Sequence, residues 1–156
     1  ADMYETLDAS AGVGLAAPQI GKAIRVVVID LDVLKEDYPE YAGFRHVFVN
    51  GHILESDDSA GKVSMEEGCL SIPGLSEDVT RPKRIHATWL DDNLQPHDEW
   101  VDGYLARVMQ HEFDHLEGVL YIDKVSPFRK QMIRNKLKAM TQGKFRAAYR
   151  TKPIHK

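Results

Sequence analysis

The chain has 156 residues, of which 43% are hydrophobic and 28% are charged, proportions typical of a soluble globular protein. This length suits a single domain over residues 1–156 that buries a core without staples. The one cysteine excludes an internal disulfide and fits a reducing compartment. Because no run of eighteen apolar residues and no signal-peptide pattern occurs, we expect no membrane span and no membrane partner.

Acidic and basic residues are distributed unevenly along the chain. The first 123 residues hold nine Lys/Arg and all 24 Asp/Glu, a net charge of −15, whereas residues 124–156 hold eleven Lys/Arg and no acid, a net charge of +11. Such a basic segment is typical of a nucleic-acid contact, but it fits equally well a solvated helix face that balances an acidic body.

Hydrophobic spacing and breaker residues predict the elements in chain order. Helices are predicted at residues 1–10, 103–118 and 126–143. Strands are predicted at residues 25–31, 45–55, 84–90 and 99–101. We further expect a bend at Asn50-Gly51, a turn at residues 72–74, an extended piece at 121–125 and a frayed basic tail at 144–156. The predicted fold class is α+β, with short antiparallel strands around the central helix and a helix at the C-terminal end.

The central helix carries the sequence H-E-F-D-H at residues 111–115. Two histidines four residues apart lie on one helix face, so both imidazoles can reach a single metal ion. Glu112 is then placed to accept a proton from water, as in metal-dependent hydrolases. Tyr104 and Val108 fall on the same stripe and predict an apolar wall beside the metal. The alternative is a pair of surface histidines on an amphipathic helix.

A catalytic site of this kind has three protein ligands and one open position. Tyr121 stands where metzincins carry a third histidine, and no acid follows Asp123, which excludes both usual protease arrangements. The upstream candidate is Cys69, which would join His111 and His115 in an S-N-N set. Two alternatives are a cysteine that is merely a small buried hydrophobe and a copper electron-transfer site, which would not need the adjacent glutamate.

The segment G-V-G-L-A-A-P-Q at residues 12–19 partly matches a dinucleotide fingerprint. That fingerprint needs a strand before it and a helix after it, whereas here a helix precedes and Pro18 removes a backbone donor. We therefore expect no nucleotide cofactor. The two glycines instead let the backbone approach a ligand closely, and Gln19 offers an amide donor that can face a developing oxyanion.

Three blocks, GVGLAAPQ at residues 12–19, EGCLS at 67–71 and QHEFDH at 110–115, make the whole chain resemble a peptide deformylase. The family normally carries a further segment before the first helix, so the resemblance implies that an N-terminal segment is missing here. It also implies an α+β fold and hydrolysis of the N-formyl group from the formyl-methionine of newly synthesised polypeptides.

The resemblance implies roles for individual residues. The metal ligands would be Cys69, His111 and His115. The metal would be Fe²⁺ physiologically, with Zn²⁺, Ni²⁺ or Co²⁺ able to occupy the site. Glu112 would be the general base, and the metal, the Gln19 side chain and the Leu70 backbone N–H would stabilise the oxyanion. The residues expected to bind substrate are Val13, Gly14, Glu67, Gly68, Tyr104 and Val108.

Three charged residues near these blocks carry further expectations. Arg107 stands where the family often has an apolar pocket residue, and we expect its stem to line the wall while its guanidinium reaches solvent. Side-chain preference beyond methionine therefore stays open. Arg81 and Asp114 are expected to orient the metal ligands, the alternative for both being a surface salt bridge.

The resemblance also indicates partners and location. The substrate would be a formyl-methionyl nascent peptide, and the basic helix and tail at residues 126–156 are predicted to contact the ribosome. A cytoplasmic, bacterial location follows, with an organellar address in the missing segment as the alternative. Two rival functions are a metallopeptidase and a non-catalytic, metal-stabilised RNA-binding module, and the second would have no use for Glu112 or Gln19.

Overall fold

Antiparallel strands and three helices make up the computed structural model, which describes residues 2–151. The helices are α1 (Asp2–Ser10), α2 (Gly103–Leu116) and α3 (Pro127–Thr141). The strands are β1 (Gly14–Ala16), β2 (Val26–Asp30), β3 (Arg45–Ser56), β4 (Lys62–Cys69), β5 (Ile72–Pro82), β6 (Ile85–Leu90) and β7 (Pro96–Val101). The α+β class expected from the sequence is confirmed.

The strands form two separate sheets. Five of them pair in the order β1-β2-β3-β6-β7, and every neighbouring pair is antiparallel. The other two, β4 and β5, form an antiparallel ribbon of their own. Cys69 is the last residue of β4, so the cysteine lies at the end of the ribbon where a turn joins β4 to β5.

The main core lies between α2 and the five-stranded sheet. Met109 and Phe113 of the helix are buried with Phe48 of β3 in one cluster. The bend expected in β3 is confirmed, because Asn50 has a φ of 52° and the pairing with β6 shifts register there. A Cβ at Gly51 would lie 2.4 Å from the Phe113 ring, so only glycine lets the helix pack this closely against the strand.

Strand β5 differs most from the sequence prediction. A turn was expected at residues 72–74, but the chain turns at 70–71 and β5 begins at Ile72. The break that proline and glycine indicate is present as an irregularity inside the strand, because Gly74 has a φ of 72° and the register jumps from Cys69↔Ile72 to Gly68↔Ser76. From Ser76 to Pro82 the strand pairs regularly with β4, and alternate residues such as Val79 are buried. Pairing on both sides of this irregularity keeps the segment within one strand.

Two smaller expectations also differ. Residues 121–125, expected to be extended, instead begin with a short 3₁₀ turn at Tyr121–Asp123, and the Asp123 carboxylate accepts a hydrogen bond from the Leu120 N–H at 2.9 Å. The returning strand β7 begins at Pro96, three residues before its predicted start. None of the helices within residues 2–151 combines the length and apolar character needed to cross a membrane.

Helix α3 begins where the sequence predicts, with the Ser126 hydroxyl accepting a hydrogen bond from the Arg129 N–H at 3.3 Å. Its inner face is narrow, and Ile133 is its one buried residue. The helix is tied to β5 by a bidentate contact in which Arg129 donates to both carboxylate oxygens of Glu77, at 2.7 and 2.9 Å. The ion pair therefore joins the basic helix to the ribbon.

Replacing Glu77 by glutamine is expected to lower the free energy of unfolding at neutral pH, with the deficit shrinking in acid. The hydrogen bonds from Arg129 hold the pKa of Glu77 below its usual 4.5, so its contribution is complete above that pH and is lost as the pH falls through the lowered pKa. Denaturant unfolding at neutral pH and at several values below 4.5 measures the effect. Exposed Glu40, changed to glutamine, is the control; equal stability of Glu77→Gln and wild type at neutral pH would contradict the prediction.

Candidate functional site

Cys69, His111 and His115 lie together in the structure, as the sequence predicts. One helical turn separates the two histidines on α2, with ring centroids 5.2 Å apart, and the thiol of Cys69 lies 3.3 Å from Nε2 of His115. One ligand atom from each of the three residues lies within 4.8 Å of the others. One thiol and two imidazoles form a donor set that suits Zn²⁺, Fe²⁺ and similar divalent metals. These three residues could therefore hold a metal ion.

His111 is held in place by Glu67 of β4. Nδ1 of His111 lies 2.7 Å from a carboxylate oxygen of Glu67, which leaves the other ring nitrogen to face the ligand cluster. Burial opposes the charged form of His111, but hydrogen bonds to Cys69 and Glu67 outweigh burial and raise its pKa to about 10. Such a carboxylate behind a ligand histidine fixes the orientation of the ring and strengthens it as a ligand.

Glu67, a predicted substrate-binding residue, lines the cleft, and its carboxylate is bonded to buried side chains of the protein. It accepts hydrogen bonds from Arg81 at 2.7 and 2.9 Å and from Arg107 at 2.6 Å, and all three side chains are buried. Burial alone would raise the pKa of Glu67, but the bonds to His111 and Arg81 hold it at about 2. Both carboxylate oxygens are therefore engaged by partners within the protein.

Arg107 differs from the sequence expectation. Its guanidinium is not in solvent: the residue is 5% exposed and donates to the Val63 and Val79 carbonyls, at 2.6 and 2.8 Å, besides Glu67. These bonds tie α2 to both strands of the ribbon. A buried cation needs a counter-charge, and Glu67, forty positions away in the chain, supplies it.

Arg81 and Asp114 are also brought together. The Arg81 guanidinium donates to Asp114 at 2.8 Å as well as to Glu67, so a continuous chain of charged hydrogen bonds runs from Asp114 to His111. The arrangement matches the orienting role considered for this pair rather than an isolated surface salt bridge, since Arg81 is 2% exposed.

Glu112 points into the site from α2. Its side chain is buried, and its Oε2 has no hydrogen-bond partner among the residues that the structure describes. Burial raises the pKa of Glu112 to about 7. A Cβ at Gly14 would lie 2.7 Å from Oε1 of Glu112, so glycine is needed for β1 to pass this close. A buried carboxyl group that titrates near neutrality can both accept and return a proton.

Gln19 and Leu70 lie beside the cluster. Oε1 of Gln19 accepts a hydrogen bond from the Ala16 N–H at 2.9 Å, which directs Nε2 toward the thiol of Cys69 at 3.5 Å and the hydroxyl of Ser71 at 3.0 Å. Leu70 sits in the turn between β4 and β5. Both residues line the cleft that contains Cys69 and His111.

A cleft of about 570 Å³ opens over these residues, a size usual for small-ligand sites. Tyr104, which stacks on Tyr38 with ring centroids 5.7 Å apart, contributes to one wall. The sequence-predicted substrate residues that line the cleft are Val13, Gly14, Glu67, Gly68, Tyr104 and Val108.

Sequence reasoning missed one part of the lining. Residues 146–149, which were expected to belong to a frayed tail, border the cleft. Tyr149 donates a hydrogen bond to the Leu70 carbonyl. No local pattern in this basic segment indicated such a contact. Residues 152–156 of the predicted tail lie outside the described part of the chain.

The chain is similar in sequence to a known protein family. A family model described as Polypeptide deformylase matches residues 1–131. A peptide deformylase of Flavobacterium psychrophilum is 42% identical, in an alignment that covers 100% of this chain and 83% of the relative. The chain is thus similar to this relative along its whole length.

Solved structures agree with the sequence comparison. A Plasmodium falciparum peptide deformylase superposes with a TM-score of 0.79 at 34% identity, covering 91% of this chain and 79% of the other. The enzyme from Thermus thermophilus gives 0.76 at 34% identity, with 92% and 80% covered. The arrangement of sheet, ribbon and central helix is therefore similar to that of both proteins.

Proposed function

Because this chain belongs to the polypeptide deformylase family, we propose that Cys69, His111 and His115 hold the metal and that Glu112 transfers the proton. Members of this family are metal-dependent hydrolases that remove the N-formyl group from formyl-methionyl peptides. The observation that carries this proposal is the convergence of three ligand atoms within 4.8 Å beside a buried carboxylate oxygen that lacks a partner. The rival RNA-binding module would not require that carboxylate.

The metal proposed for this site is Fe²⁺, with Zn²⁺, Ni²⁺ and Co²⁺ as ions that the same donors accept. When bound, the metal supplies the Lewis acidity that activates water and polarises the formyl carbonyl. Removal of metal by a chelator, followed by anaerobic reloading with each ion, tests this choice. Formate release from formyl-Met-Ala-Ser should return with Fe²⁺, and failure of Fe²⁺ to restore it would contradict the assignment.

The proposed residue roles follow from the positions of the side chains. Glu112 takes a proton from the attacking water and returns it to the departing amine of methionine. The amide of Gln19 and the N–H of Leu70 donate to the oxygen of the former carbonyl as negative charge develops there. The fixed orientation of the Gln19 amide supports this role, since little reorganisation is needed during the reaction.

Substrate binding is proposed for the walls of the cleft. Val13, Tyr104 and Val108 would surround the methionine side chain, while the backbone of Gly14 and Gly68 would bond the peptide main chain. Gly14 passes so close to Glu112 that a Cβ there would lie 2.7 Å from Oε1, so the space beside this carboxylate is narrow. A formyl group carries hydrogen where other acyl groups carry carbon, so a narrow site selects it by size.

The basic C-terminal region supports a proposed contact with the ribosome. Residues 124–156 carry a net charge of +11, and Arg134 and Lys138 of α3 are exposed. Ribosomal RNA attracts such a surface through counterion release. A substrate that emerges from the ribosome places the enzyme where translation occurs, which supports a cytoplasmic location.

Changing Arg134 and Lys138 to glutamine is expected to weaken ribosome co-sedimentation and to reduce its salt dependence by roughly two units of slope, because each lost phosphate contact removes about one. Lys22→Gln with Lys62→Gln, two exposed lysines outside the basic segment, is the charge-matched control. If both double variants co-sediment like wild type across the salt series, the contact lies elsewhere or does not form.

A further inference from the structure

The chain returns to the mouth of the cleft after α3 ends. Gly143 has a φ of 74°, and the N–H of Lys144 donates to the Ala139 carbonyl at 2.9 Å, a left-handed helix end that directs the following residues away from the helix axis. Residues 146–149 then line the same cavity as Cys69 and His111 of the ligand cluster. We call residues 146–149 the tail wall.

The tail wall is anchored at the turn that follows Cys69. The Tyr149 hydroxyl donates a hydrogen bond to the carbonyl of Leu70. Burial of the phenol, with a further effect from Cys69, raises the pKa of Tyr149, in keeping with a side chain that lies against the site rather than in solvent. The anchor therefore contacts the same residue whose N–H is proposed to face the reacting carbonyl.

The cavity volume shows whether residues 146–149 line the cleft or block it. About 570 Å³ stays open with the tail wall in place, which is sufficient for a small ligand. The side chains of the tail wall are also suited to binding a peptide. Ala147 and Ala148 let a peptide backbone approach closely, and Arg146 is an exposed cation. A segment that blocked the site would leave no such space.

The direction of the substrate follows from the ends of the cleft. The formyl group must lie at the ligand cluster and Glu112, and the methionine side chain beside Tyr104 and Val108. The residues after methionine then leave along the remaining lining, which the tail wall shares with residues 10–12 and 72–76. This step rests on the proposed function of the metal site.

We propose that the tail wall binds the part of a formylated peptide that follows methionine, that the Tyr149–Leu70 hydrogen bond holds it in place, and that Arg146 favours an acidic residue in that part of the peptide.

Peptide length provides the first test. In wild type, lengthening formyl-Met-Ala to formyl-Met-Ala-Ser-Ala should lower KM by about threefold to tenfold, the effect of roughly one added hydrogen bond. Tyr149→Phe, which removes only the hydroxyl, and deletion of residues 144–156 should both lose this gain, with KM changing more than kcat. Thermal unfolding of each variant reports whether the fold is intact, and Tyr149→Phe decides the question if the deletion variant does not fold.

Charge provides the second test. For Arg146→Gln, the kcat/KM ratio between formyl-Met-Ala-Asp and formyl-Met-Ala-Lys should fall about twofold to fivefold relative to wild type, as expected for one exposed ion pair. Arg150→Gln is the matched control, because Arg150 is an exposed arginine of the same tail that does not line the cleft. Its ratio should equal that of wild type.

Hydrogen exchange gives a readout without turnover. The product peptide Met-Ala-Ser should slow amide exchange in residues 144–150 of the metal-loaded wild type, because binding covers the tail wall.

Three results would overturn the inference: unchanged length dependence in Tyr149→Phe, unchanged exchange in the tail with product bound, or tighter peptide binding after deletion of the tail. Absence of formate release from metal-replete wild type is a different result, and it would overturn the proposed function of the site instead.

Discussion

Replacement of Glu112 by glutamine is expected to lower kcat for formate release by about two to four orders of magnitude, the range usual for loss of a general acid–base group. Glutamine keeps the size of the side chain but cannot accept the proton of the attacking water. The ligand cluster contains a different set of residues, so metal content should be retained. Initial rates with formyl-Met-Ala-Ser, normalised to bound metal, measure the effect.

A matched control is Glu117→Gln, which alters an exposed carboxylate just beyond the end of the same helix. Its rate should equal that of wild type. A metal-replete Glu112→Gln variant that releases formate at the wild-type rate would show that another group moves the proton.

Glu67→Gln is expected to have the largest effect on stability and on the metal together. The carboxylate lies between two buried guanidinium groups, those of Arg81 and Arg107, and also orients His111. Removing one partner of a buried charge network costs about 3–5 kcal/mol of unfolding free energy because the remaining charges lose their compensation. Loss of the carboxylate behind a ligand histidine lowers metal affinity by roughly 10- to 100-fold.

Denaturant unfolding and competition with a chelator measure these two quantities separately. The neighbouring Glu66→Gln, an exposed carboxylate of β4, is the control and should leave the free energy of unfolding unchanged. If Glu67→Gln kept both the wild-type stability and the wild-type metal affinity, the buried network would have no part in holding His111.

The elements that the sequence predicts well are those with strong local signals. Helix α2 has apolar residues at helical spacing and the H-E-x-x-H motif, so both its existence and its ligand face follow from periodicity. The bend in β3 follows from the Asn50-Gly51 pair, and the start of α3 from Ser126 and Pro127. In each case the signal lies within a few residues of the feature.

The features that the sequence predicts poorly depend on partners that are distant in the chain. Strand β5 has breaker residues near its start, and pairing with β4 on both sides of the irregularity there extends the strand to Ile72. Arg107 is expected in solvent on charge alone, and its burial requires Glu67 forty positions away. Tyr149 reaches Leu70 across 79 positions, a contact that no local pattern encodes. Polar networks of this type are visible only when the chain has folded.

The most direct test of the account offers metal-replete wild type three substrates, formyl-Met-Ala-Ser, acetyl-Met-Ala-Ser and unmodified Met-Ala-Ser, with release of formate, acetate and free methionine measured for each. The first peptide should release formate, the second no acetate and the third no free methionine, because the proposed cluster of Cys69, His111 and His115 acts with Glu112 on a formyl carbon alone. Cleavage of unmodified Met-Ala-Ser, or absence of formate with metal bound, would contradict it.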